Sequence, residues 1–171
     1  FNSAAGPLYR DLRTSLQLEG LESLRIVQRY DLEGLKEDQF ESATRLILSE
    51  PQVDTVSSEL STGNDEQWFA VEYLPGQFDQ RADSAAQCVQ ILTQQQRPLI
   101  ASAQVIILKG SLEENDLVRI KDFIINKLLF FVFHSIQIVS NPFFVSCVYK
   151  NSLISVNCQF ILLKFCPSIF K

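Results

Sequence analysis

Three stretches of the sequence have the pattern of β-strands. Apolar and polar residues alternate between residues 24 and 32, as they do in a strand with one buried face. The run 99–108 is almost continuously apolar, which predicts a more central strand. Residues 68–74 are rich in aromatic residues and valine and end at Pro75-Gly76, a turn signal.

Helices are predicted beside these strands. Apolar residues recur there at i, i+3 and i+7, which places one apolar stripe toward a core. We expect helices at about 7–17 and 80–94. A further helix is expected to begin at the capping box Ser111-x-x-Glu114, in which the two side chains accept from free amides. Gly34 is a weaker cap for an equivalent helix earlier in the chain.

These elements repeat along the chain with an offset of 77 residues. Leu8 and Leu12 fall on Ala85 and Val89, on the apolar stripes of the two long helices. Later in the two copies, the aligned positions are Phe40, Ala43 and Ile47 with Leu117, Ile120 and Ile124.

The repeat predicts the fold class. Each copy reads strand, helix, strand, helix, so we expect an α/β (α+β) domain with two tandem repeats at about 1–50 and 68–126. The two copies form a pseudo-dimeric antiparallel sheet covered by helices. The first strand of the first copy would precede Phe1, so we expect a cut N-terminus and an open sheet edge.

Composition separates residues 127–171 from the rest. The 171-residue chain carries a net charge of −5, so a nucleic-acid partner is not expected. All 20 acidic residues lie in residues 1–125, whereas the last 46 residues lack Asp, Glu, Arg, Gly and Ala. No apolar run there reaches the roughly 18–20 residues of a membrane-spanning helix. We therefore interpret 127–171 as an irregular apolar tail, a mistranslated or disordered segment.

Candidate reactive residues are few. His134 is the single histidine, and it lies in the tail. Cys88 is expected to be a small core residue of the second long helix. The acidic group Glu113, Glu114 and Asp116 is interpreted as a solvated helix start. No C-x-x-C spacing, phosphate-binding loop or dinucleotide motif occurs, so no metal, cofactor-binding or catalytic residue is assigned.

Three segments resemble one enzyme family. The residues 69–88, FAVEYLPGQFDQRADSAAQC, closely resemble the N-terminal domain of phosphoribosylformylglycinamidine synthase in its large, single-chain form. Residues 29–35, RYDLEGL, and 49–54, SEPQVD, resemble the same domain in the same order. The likeness covers about residues 7–126 and ends where the composition changes.

The resemblance implies a part of a ligase of purine biosynthesis. That family uses ATP, Mg and glutamine-derived ammonia to amidate formylglycinamide ribonucleotide in the cytoplasm. Its N-terminal domain is structural and resembles two fused copies of a small partner protein. Its ATP and glutaminase sites lie in later domains, so this chain alone is expected to be noncatalytic and to hold no cofactor.

The same resemblance points to one polar segment as a docking surface toward the synthetase and glutaminase domains. The alternative is helix capping by one of its aspartates, because acidic residues are favoured at helix starts. Two other readings of the chain stay open: a free-standing interaction module, and a protein tethered to a membrane by its tail. The candidate docking residues are Gln77, Asp79, Gln80, Arg81, Asp83 and Ser84.

Overall fold

The computed structural model describes residues 4–74, 76–131, 136–139 and 160–166. The chain is a mixed α/β protein, as its sequence predicts. The helices are α1 (Ala5–Leu16), α2 (Glu37–Ala43, continued by a π-helical turn at Thr44–Leu48), α3 (Gln80–Thr93) and α4 (Glu114–Phe131). The strands are β1 (Leu21–Glu33), β2 (Val56–Ser58), β3 (Glu66–Tyr73), β4 (Leu99–Gly110), β5 (Ile136–Val139) and β6 (Phe160–Cys166).

The strands form one sheet in the order β2-β6-β1-β4-β3-β5. Its inner pair is fixed by a close backbone approach at one end of β4. The backbone N–H of Ser111 donates to Gly20 O at 3.0 Å. A Cβ added to Gly110, which has a φ of +142°, would lie 2.0 Å from that same oxygen. Only glycine fits both the backbone conformation and the space at this position.

The predicted capping box of α4 is wrong by two residues. The helix begins at Glu114, so the residue before it, Glu113, occupies the cap position. The Glu113 N–H donates to the Asp116 carboxylate at 3.3 Å. Ser111 lies too early to cap the helix, because its backbone is engaged at the end of the sheet with Gly20.

The start of α2 repeats this arrangement. Its cap position is Lys36 rather than Gly34, and the Lys36 N–H donates to the Gln39 side-chain oxygen at 3.1 Å. In both helices, therefore, the third helical residue accepts from the backbone of the cap residue. The two cap residues, Lys36 and Glu113, are 77 residues apart, which is the offset of the predicted repeat.

The ends of α1 and α3 match at the same offset. Gln17 follows α1 with a φ of 54°, and Gln94 follows α3 with a φ of 52°. They are the only non-glycine residues with positive φ in the part of the chain that the structure describes. A left-handed residue at this place ends a helix and is most often glycine. The sequence repeat is thus accompanied by a repeat of helix starts and helix ends.

The chain divides into two compact units. The first consists of Phe1–Ile26, Thr62–Gln77 and Gln104–Ser140. It contains α1, β3, β5 and α4 together with the first half of β1 and the second half of β4. Its largest buried side chains are Leu12, Leu21, Phe69, Ile106, Leu108 and Ile120.

The second unit consists of Val27–Ser61, Phe78–Ala103 and Asn141–Lys171. It contains α2, β2, α3 and β6 together with the remaining halves of β1 and β4. Its core comprises Tyr30, Leu32, Leu35, Phe40, Ala43, Leu48, Ala85 and Val89. Each unit therefore combines a segment of the first predicted repeat with a segment of the second.

Regular structure extends beyond the predicted boundary at residue 126. Helix α4 continues to Phe131, and β5 pairs antiparallel with Ala70–Tyr73 of β3. Strand β6 pairs in parallel with Val27–Glu33 of β1 and with β2. The tail that we expected to be irregular therefore includes two strands, and its other parts, residues 132–135, 140–159 and 167–171, lie outside the described residues.

Candidate docking surface

Asp79, one of the predicted docking residues, holds the start of α3. Its Oδ1 accepts from the Ala82 N–H at 2.9 Å, which caps the helix. Its Oδ2 accepts from the Ser102 N–H at 2.9 Å and from the Ser102 hydroxyl at 2.8 Å. Both carboxylate oxygens are thus used within the second unit, joining α3 to β4. The structure favours the capping interpretation for this residue over a docking role.

Asp83 also binds within its own unit. It forms an ion pair with Arg97, whose guanidinium additionally donates to the Asp83 carbonyl oxygen at 3.0 Å. The Gln87 side chain donates to the Asp83 carboxylate at 2.7 Å. This carboxylate is therefore engaged by two neighbours rather than presented alone to a partner.

The remaining docking candidates differ in exposure. Arg81 is exposed and donates to the Tyr30 hydroxyl at 3.4 Å, while Gln80 and Ser84 are exposed on the first turns of α3. Gln77 belongs to the first unit, where its side-chain oxygen is buried without a hydrogen-bond partner among the described residues. Of the six candidates, three therefore present exposed side chains on α3.

An exposed apolar stripe on α3 was missed by the sequence analysis. Ser84, Cys88, Ile91 and Leu92 follow the i, i+4, i+7, i+8 spacing of one helix face, which we name the outer face of α3. Ile91 is 76% exposed and Leu92 40% exposed. Four exposed residues along one face form a patch rather than the scattered apolar residues found on most surfaces.

The expectation that Cys88 is a core residue is wrong, because the side chain is exposed. The buried stripe of α3 is formed by small residues and one valine: Ala82, Ala85, Ala86 and Val89. Cys88 precedes Val89 by one residue, and so lies about 100° around the helix from it. The presence of two apolar stripes on α3, rather than one, was the signal available in the sequence.

The fold does not require this apolar surface. Subtracting 77 from Cys88, Ile91 and Leu92 gives the equivalent positions on α1. These positions carry Asp11, Thr14 and Ser15, all polar. Because α1 occupies the equivalent place in its own unit with a polar face, the apolar face of α3 serves something other than the fold.

One exposed ion pair lies in the first unit. Lys109 Nζ lies 3.3 Å from Asp65 Oδ2. The hydrogen bond from its own backbone, followed by the bond and the charge of Lys109, lowers the pKa of Asp65 from its usual 3.8. The hydrogen bond to Asp65 and its charge raise the pKa of Lys109. Both side chains are exposed, so we expect a small effect on stability.

The other sequence candidates give no reactive centre. In the acidic group at the start of α4, Asp116 binds the Glu113 N–H and contacts Arg119 at 3.4 Å, as an ordinary helix start does. Among the residues described, no group of His, Cys, Asp or Glu is arranged to hold a metal ion. His134, Cys147 and Cys158 lie outside the described part of the chain. No described helix is long and apolar enough to span a membrane.

Comparison with known proteins adds no relative. No protein-family model, no curated protein and no solved structure matches the chain.

Proposed function

We propose that the chain is the structural N-terminal part of a phosphoribosylformylglycinamidine synthase. In this role it performs no chemistry and supports the docking of a glutaminase domain against a synthetase domain. The proposal rests on the resemblance of residues 69–88, 29–35 and 49–54 to that domain, and it concerns the larger enzyme rather than an activity of this chain. ATP and Mg would be bound by the other domains.

The observation that carries the proposal is the 77-residue repeat of helix ends. The resemblance implies two fused copies of one small protein, and fused copies retain the same local backbone conformations at equivalent positions. Gln17 and Gln94 are left-handed at that spacing, and Lys36 and Glu113 cap their helices at that spacing. These pairs support a duplicated domain independently of sequence identity.

Within this proposal, the outer face of α3 is the surface that meets another domain. The most characteristic segment, residues 69–88, leads directly into this face. Gln80 and Arg81 add polar groups at one end, while Ile91 and Leu92 supply exposed apolar area. An apolar centre with polar residues at its edge is the usual composition of an interface between proteins.

The test is restoration of a defective synthase. The chain is added to a phosphoribosylformylglycinamidine synthase from which its own N-terminal domain has been deleted, and glutamine-dependent amidation is measured. We expect the chain alone to give no amidation with ATP and either glutamine or ammonia, and the mixture to recover glutamine-dependent activity. Turnover by the chain alone, or a mixture no more active than the deleted enzyme, contradicts the proposal.

A matched pair of variants locates the docking face. Ile91→Asp introduces a charge on the outer face of α3, and Thr14→Asp introduces the same charge at the equivalent position of α1. Since an interface residue of this kind contributes above about 1 kcal/mol, Ile91→Asp should weaken the restoration by about fivefold or more. Thr14→Asp should leave it unchanged. Equal effects of the two variants would contradict the assignment of this face.

The exposed stripe of α3 also favours a second candidate function, a free-standing interaction module. Such a module would use the same face, but it would bind a protein unrelated to amidation. The two functions are separated by the restoration assay, since a free-standing module would not restore the synthase and would still bind its own partner through Ile91.

A further inference from the structure

The position of β6 follows from the repeat. In the first unit, β3 is the neighbour of β4, and Asp65 just before β3 contacts Lys109 near the end of β4. In the second unit, β6 pairs with Val27–Glu33 of β1. Adding 77 to these residue numbers gives 104–110, the part of β4 that lies in the first unit. In the repeat, β6 therefore stands where β3 stands.

A further strand lies beyond each of these two. In the first unit β5 pairs with β3, and in the second unit β2 pairs with β6. The pairings differ in direction, since β5 is antiparallel to β3 whereas β6 is parallel to both of its neighbours. The place of β6 in its unit matches that of β3, but its direction relative to the outer strand does not.

We propose that the outer edge of β1, between Val27 and Glu33, is a strand-acceptor site that is filled by the chain's own segment Phe160–Cys166. The repeat predicts a strand at this edge, and the chain supplies one from its far end. The proposal rests on the repeat and on the observed pairing, and it does not depend on membership of a synthase.

The chemistry of the site is that of strand addition. The outer edge of β1 presents backbone N–H and C=O groups in a row, and an extended segment satisfies them regardless of much of its own sequence. Seven consecutive residues of β6 are in register with β1, from Val27 with Phe160 to Glu33 with Cys166. The site therefore accepts an extended segment of about seven residues.

The occupant is held by terms that permit exchange. Parallel pairing is slightly less stable per residue than antiparallel pairing. Closing the chain between β1 and β6, which are separated by more than 120 residues, also costs conformational entropy. We therefore infer that β6 leaves the edge without unfolding of the second unit, and that the same segment supplied as a separate peptide can take its place.

The first test is hydrogen exchange on the full chain. Leu163 pairs with Tyr30 in the middle of the register. Proline there removes a donor and disrupts a strand, whereas isoleucine keeps both the donor and a high strand propensity. We expect Leu163→Pro to increase amide exchange within residues 27–33 at least tenfold and Leu163→Ile to leave it unchanged. Unchanged protection of residues 27–33 in Leu163→Pro would overturn the proposal.

A second variant separates release of β6 from general unfolding. Proline at the first residue of a strand is better tolerated than proline in its middle. Phe160→Pro should therefore increase exchange near Val27 while amides of α3 stay protected. Loss of protection in α3 together with β1 would show that β6 is an integral part of the unit rather than an occupant, and would contradict the proposal.

The last test supplies the strand in trans. A synthetic peptide of residues 158–168 is added to the Phe160→Pro chain, with a scrambled peptide of the same composition as the control. We expect the native peptide to restore protection of residues 27–33 and the scrambled peptide to restore much less. No restoration by the native peptide, or equal restoration by both, would overturn the assignment of a site for this segment.

Discussion

At the scale of single residues, Asp79 shows how one carboxylate fixes a helix to a strand. Its two oxygens accept three hydrogen bonds, one from the first turn of α3 and two from Ser102 on β4. Ser102 is one of the few buried polar residues among those described. The sequence identified Asp79 as important but left its role open, because its second partner lies 23 residues away in the chain.

Replacement of Asp79 should measure these bonds. Asp79→Ala removes a helix cap, worth about 1 kcal/mol, and leaves the Ser102 amide without its acceptor, which costs about 1–3 kcal/mol more. We expect a free energy of unfolding lower by about 2–3 kcal/mol in chemical denaturation. Ser102→Ala, the control, keeps the cap and should cost only about 1 kcal/mol. Equal effects of the two variants would contradict this account.

The pair Asp65 and Lys109 gives a prediction about pH. Because the folded state lowers the pKa of Asp65, its contribution to stability is present above the usual 3.8 and is lost as pH falls through the lower folded value. The contribution of Lys109 is present below 10.5 and is lost above it. Lys109→Met should raise the pKa of Asp65 only part of the way, because the largest cause is a backbone hydrogen bond. Carbon-detected NMR titration measures this, and complete return to 3.8 would contradict it.

At the scale of helices and strands, local patterns predicted the elements well. The predicted helices at about 7–17 and 80–94 and the predicted strands lie within a few residues of those observed. Their apolar periodicity is strong, and period 3.6 and period 2 are seldom confused in such segments. The exact caps failed because Ser111 satisfies a local motif while its backbone is already bound to Gly20, a contact that sequence alone does not display.

Matched substitutions at the two left-handed helix ends test the repeat at this scale. Gln17→Gly and Gln94→Gly each remove the steric cost of a side chain at positive φ, partly offset by the greater freedom of glycine in the unfolded chain. Each should raise the free energy of unfolding by about 0.5–1 kcal/mol. Gln90→Gly, within α3, should lower it by a similar amount. A gain at one end of the repeat and a loss at the other would contradict equivalence.

The outer face of α3 marks the limit of prediction from helical patterns. Cys88 was assigned to the core because an apolar residue in the middle of a helix is most often buried. The second stripe, with Ile91 and Leu92, turns that expectation around. A helix that is apolar on two sides presents the same local pattern whether its second side meets its own domain or another protein.

At the scale of the whole molecule, the two compact units do not coincide with the two sequence repeats. Each unit takes one segment from each copy, since β1 and β4 each run through both units. Sequence reasoning finds the copies because they are contiguous. It does not find the units, because these depend on which halves of the long strands pack with which helices.

The central claim is that this chain belongs to a large synthase. The most direct measurement is the mass of the native protein that carries the peptide Ala82–Leu92 in the source organism, detected by an antibody to that peptide and confirmed by mass spectrometry. The account predicts one chain several times heavier than 19.5 kDa. A native protein of 19.5 kDa as the only species with this peptide would contradict it.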